Sequence, residues 1–141
     1  MLMAAHEAGK AINITQTTAG HAMCYKVTSL FGVAHGHAAI LCNRVLFPWM
    51  IKNTNKCIDS RGEEYLVRTL DEIGAVMGCL DGTSGAEKLG DIFTRLELEA
   101  PVASEEQIEE LKKSVNAVRL KNHPIQLDEN TIEELYREIL R

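Results

Sequence analysis

Aromatic side chains make up only 5% of this 141-residue chain, and no stretch alternates apolar and polar residues over the length of a strand. A half-buried strand carries that period-two pattern, so its scarcity argues against a sheet at the core. No Cys-x-x-Cys pair occurs: Cys24, Cys42, Cys57 and Cys79 stand 18, 15 and 22 positions apart. That spacing excludes a zinc knuckle and a thioredoxin-like pair, and leaves four thiols expected to be reduced and to pack as small hydrophobes. No apolar run approaches the roughly 20 residues that span a bilayer, so no membrane partner is expected. Basic residues are outnumbered, 15 against 20 acidic, for a net charge of -5. Nucleic-acid binders carry a basic patch, and nucleic acid is not an expected partner here. The opening Met-Leu-Met-Ala-Ala-His-Glu-Ala-Gly-Lys has no basic-then-apolar leader layout, which makes the cytoplasm the expected compartment. Equally missing is a Gly-x-Gly turn after a strand, the usual cradle for a dinucleotide pyrophosphate.

What is present is helical periodicity. Residues 2–13 form an alanine-rich pattern with Leu2, Ala5, Ala8 and Ile12 on one stripe, broken by the small polar residues 15–20. The pattern resumes from His21 to Phe31, and Gly32 suits a left-handed helix end. Residues 35–47 are almost continuously apolar, the mark of a helix buried on most sides, with Pro48 expected to bend or end it. Residues 63–77 are amphipathic through Leu66, Leu70 and Ile73; 81–85 read as a turn, and 86–96 as a short helix. Ser104-Glu-Glu-Gln107 has the layout of a capping box, and Asp128 that of the cap on a last helix. With no repeat or linker in between, the expectation is one all-α domain over residues 1–141.

Two imidazoles carry the chemistry. His21 and His35 lie 14 positions apart, each at the start of a helical pattern, and imidazole is the commonest metal ligand. His37 follows two positions after His35, about 200° round a helix, so it does not readily face the same ion and is a candidate to line the cleft or to pack. Tyr25 and Thr28 share the His21 stripe and line either the core or a cleft. Lys26 and Arg44 suit an anion or a solvated face, and His6 and His123 read as surface residues.

The combination Gly20-His21, Gly32-Val-Ala-His35-Gly36 and His37-Ala38 is similar to the C-terminal helical domain of the iron-containing alcohol dehydrogenase family. Ala8-Gly-Lys-Ala-Ile-Asn13 and the tail Val118-Arg-Leu-Lys-Asn-His-Pro124 extend the likeness over nearly the whole chain. The resemblance implies a divalent iron or zinc ion held by one aspartate and three histidines, of which His21 and His35 match the last two. It implies NAD(P) as cofactor and a small aldehyde or alcohol as substrate. The aspartate, the first histidine and the N-terminal nucleotide-binding domain would lie upstream of these residues. The expectation is therefore a C-terminal domain or fragment that supplies two ligands and is inactive alone. Many family members carry a further histidine at the position of Tyr25, so the resemblance makes Tyr25 the candidate catalytic residue. The stretch from Asn13 to Met23 looks most like the branch that reduces phosphonate-bearing aldehydes. The alternatives are a non-catalytic helical remnant that self-associates, expected as a homo-oligomer, and a metal sensor built on His21, His35 and His37.

Overall fold

A computed structural model describes residues 1–141 as eight α-helices without a strand. They are α1 (Leu2–Ile14), α2 (Ala19–Phe31), α3 (His35–Lys52), α4 (Glu63–Val76), α5 (Gly82–Arg95), α6 (Glu105–Ser114), α7 (Ala117–Leu120) and α8 (Glu129–Ile139). The all-α bundle expected from the sequence is the observed architecture. No helix is long and apolar enough to cross a membrane.

Helices α2, α3, α6 and α8 share one core, in which Met23, Val27, Leu41, Cys42, Leu111, Leu135 and Ile139 are fully or almost fully buried. Tyr136 of α8 reaches across it and donates its hydroxyl to the Met23 carbonyl at 2.9 Å. A buried phenol needs such a partner, and burial pushes its pKa upward. A second cluster joins Leu66 and Leu70 of α4 to Ile125, with Phe47, Trp49 and Met50 of α3 against it. Because α3 packs into both clusters, it runs through Pro48 to Lys52 instead of ending there. A proline inside a helix costs about 3 kcal/mol, which packing on two sides offsets.

Two expectations, for residues 81–85 and for His123, need correction. Residues 81–85 are not a turn but the start of α5: Asp81 caps it, accepting from the Ser84 amide at 2.8 Å, while Ser84 Oγ accepts from the Asp81 amide. The apolar stripe of α1 is exposed, for that helix has no buried residue at all. His123 is no surface residue; it is 2% exposed. Its loop is clamped by the amide of Ile58 donating to the Pro124 carbonyl and by an isolated bridge between Cys57 and Ile125. The capping box of Ser104 with Gln107 and the Asp128 cap on the Thr131 amide form as expected.

Candidate metal centre

The histidines meet because of one left-handed residue. Gly32 closes α2 at φ +67, its amide bonded to the Thr28 carbonyl, and Ala34 continues extended into α3. The chain thus turns back along α2 and sets His35, the first residue of α3, beside the first turn of α2. Gly20 has a part in this too. A Cβ on it would lie 2.3 Å from Asn43 Oδ1, so any larger residue would have to push the Asn43 side chain aside where the start of α2 meets α3.

The ring centroids of His21 and His35 are 5.4 Å apart and their planes tilt by 56°. Tyr25 stands over the same spot, 5.3 Å from the His35 ring and 6.3 Å from that of His21. Beneath them the buried thiol of Cys24 lies 3.9 Å from His35 Nδ1. Burial raises the pKa of that thiol. His21 is half-buried, and its pKa is lowered, first by desolvation, then by His35 and by the Arg119 guanidinium. Its ring is therefore neutral at pH 7, with a nitrogen lone pair to offer.

The remaining candidates lie elsewhere or face otherwise. His37 points toward the α5–α6 connection, Nε2 lying 2.9 Å from the Glu99 carbonyl and the ring 6.4 Å from Phe93. The hydroxyl of Thr28 is buried without a partner. Lys26 is engaged by Glu110 at 2.6 Å, and Arg44 lies over the Phe93 ring at 4.5 Å. Sequence reasoning passed over Arg119, whose guanidinium lies 4.3 Å from the Tyr25 ring centroid. The only signal was its place in the tail motif before His123-Pro124.

The donor set is incomplete within the chain: nowhere do three or more His, Cys, Asp or Glu side chains gather so as to hold a metal ion. A two-imidazole edge suits a divalent ion but does not close a site, which needs three or four protein ligands. An apolar cleft of about 460 Å³ between α3, α4 and α5 contains neither histidine.

Residues 1–140 match the description Fe-containing alcohol dehydrogenase family, C-terminal. Phosphonoacetaldehyde reductase from Streptomyces viridochromogenes is 38% identical over 76 residues, which is 53% of this chain and 19% of that protein. The fold resembles that of sulfoacetaldehyde reductase from Bifidobacterium kashiwanohense, solved in complex with NAD+, with a TM-score of 0.69 at 20% identity. That match covers 87% of this chain and 31% of the other, so the chain spans under a third of either relative's length. A helical bundle that folds two imidazoles together, and matches the family from its first residue to its last but one, belongs to the C-terminal part of the iron-containing alcohol dehydrogenase family.

Proposed function

We propose that this chain supplies His21 and His35 as two ligands of a divalent iron or zinc ion in a cytoplasmic, NAD(P)-linked aldehyde reductase. The observation that carries the reading is the ring separation. Two imidazoles bound tetrahedrally to one ion at about 2.1 Å place their centroids about 5.3 Å apart, and here they are 5.4 Å apart. Cys24 Sγ lies near His35 Nδ1, so Nε2 is the nitrogen through which His35 would hold the ion. When bound, such an ion supplies Lewis acidity that polarises a carbonyl toward hydride from a nicotinamide.

The chain's own residues prepare that chemistry. Desolvation and the Arg119 charge keep His21 unprotonated, as a ligand must be. Tyr25 stands over both rings and lines the approach to them, with its hydroxyl as a hydrogen-bond donor to substrate. The other ligands and the nicotinamide site belong to the remainder of such an enzyme, so these 141 residues by themselves are inactive. The relatives' names pair an aldehyde with a phosphonate or a sulfonate, which supports a short oxyanion-bearing aldehyde as substrate.

Titration of the chain with zinc tests the ligand assignment. Wild type is expected to bind one ion, and H21N or H35N to weaken it at least about tenfold, the loss of one of two imidazoles. Equal affinity in all three proteins would refute the pair. Activity is expected only on co-expression with a protein carrying a nucleotide-binding domain and the remaining ligands.

A second reading has its own support: a non-catalytic helical module that associates with itself. Leu2, Met3, Ile12 and Ile14 of α1 are exposed apolar side chains that a second copy can cover. Sedimentation velocity distinguishes it, since a monomer at tens of micromolar rules out that module.

A further inference from the structure

Arg119 is a guanidinium drawn toward the two histidines without an anion to meet it. Its plane lies over the Tyr25 ring, and its charge is felt at His21 and Cys24. Nη1 is buried with no hydrogen-bond partner. No carboxylate pairs with it, whereas Arg61 and Arg137 are held by Asp59 and by Glu105 with Glu133. Arg44 also has a buried nitrogen without a partner, but it stacks on Phe93 and donates to the Ile139 carbonyl. A buried charged donor left unmet costs more than the 1–3 kcal/mol of a neutral one. Such a group persists where a ligand satisfies it.

The space beside Arg119 fits that ligand. A cleft of about 290 Å³ opens between the end of α1 and α7, lined by Thr15, Gln16, Thr17, Tyr25, Arg119 and Asn122. Its polar groups are hydroxyls and amides, and no acidic side chain lines it. Tyr25 neighbours both groups: the guanidinium carbon lies 4.3 Å and the His35 ring 5.3 Å from its ring centroid. A guanidinium is a flat fork whose parallel N–H groups grip two oxygens of a phosphonate, sulfonate or carboxylate at once. Stacked on Tyr25, the fork is held in place before the ligand arrives.

We propose that Arg119 is the anion-recognising residue of this cleft, pairing with the terminal phosphonate or sulfonate of a short substrate. The choice of phosphonate or sulfonate rests on the proposed reductase function, while the anion contact stands on Arg119 alone.

Two product-like anions, 2-hydroxyethylphosphonate and 2-hydroxyethanesulfonate, test it against neutral 1-propanol, with the 141-residue chain followed by NMR. Both anions are expected to bind wild type and to shift the Arg119 Nε–Hε resonance, and 1-propanol to do neither. R119Q should bind them about tenfold more weakly, and R119K, which keeps the charge but loses the fork, about fivefold. Binding of the phosphonate alone or the sulfonate alone supports the proposal and names the anion. Failure of wild type to bind either anion, or equal binding by R119Q, overturns it. Should R119Q not fold, R119K and the wild-type Nε shift decide. Zinc binding separates the two ideas: R119Q is expected not to weaken it, whereas H21N does. Loss of zinc binding in R119Q with anion binding intact would place Arg119 among the groups that hold the histidines, and refute its role with the anion.

Discussion

His123 has a measurable consequence at the scale of single residues. Both its ring nitrogens are buried without a partner, and burial lowers its pKa from 6.5 to about 4. The fold holds the neutral ring, while the unfolded chain takes up a proton near pH 6.5. Stability on this account is complete above pH 6.5, falls as the pH drops toward 4, and is level below that. At pH 4.5 the loss amounts to about 2.5 kcal/mol. H123L removes the titrating group and the unmet nitrogens together. It should match or exceed wild type by about 1 kcal/mol at pH 7.5 and lead it by more at pH 4.5. Urea unfolding of both proteins at the two pH values measures the difference, and carboxylates common to both cancel. A constant gap between them would mean that His123 does not titrate in this range. Its burial was illegible in the sequence because a His-Pro loop reads as polar and exposed. The Ile58–Pro124 and Cys57–Ile125 contacts that bury it span more than sixty residues. His21 and His35 were legible for the opposite reason: one short segment carries both, with the turn-making Gly32 between them.

At the scale of elements, α4 and α5 approach until glycine meets glycine. A Cβ on Gly85 would lie 2.8 Å from Gly74 Cα, and one on Gly74 would lie 2.0 Å from the Asp81 carbonyl oxygen. G85A should therefore cost about 1–3 kcal/mol through overpacking, although alanine is the better helix former. Gly90 sits in the same helix with nothing within 4 Å of such a Cβ. There G90A should raise stability by up to about 1 kcal/mol. Thermal unfolding of the two variants checks the pair, and a shift of the same sign in both would contradict close backbone contact at Gly85. Helix limits were readable where side chains cap locally, as at Ser104 and Asp128. Residues 81–85 misled because their Gly and Ser composition serves both a turn and a capped helix start. The Asp81–Ser84 capping box and the contact with α4 together choose the helix. Pro48 misled similarly, since the packing that carries α3 past it comes from α4, α5 and α8, distant in sequence.

Across the whole molecule, stability is unevenly distributed, and α1 lies at its low end. The core is built from α2, α3, α6 and α8, together with Phe93 of α5. Helix α1 buries none of its residues and has no side-chain cap at its start. A 13-residue helix without tertiary support is marginal in water, since few bonds repay its nucleation. Amides of residues 2–14 should exchange with solvent at least about 100-fold faster than those of Leu41, Cys42 and Leu135 in the core. Removing residues 1–14 should leave the urea midpoint of the rest almost unchanged. The whole-molecule pattern also explains why the apolar stripe of α1 was legible and its exposure was not. Periodicity reports which face seeks cover, but the cover is another surface, and none of α2–α8 provides it. Protection of α1 that grows with protein concentration would identify a second copy as that surface. Protection equal to the core at high dilution would mean that α1 packs within one chain.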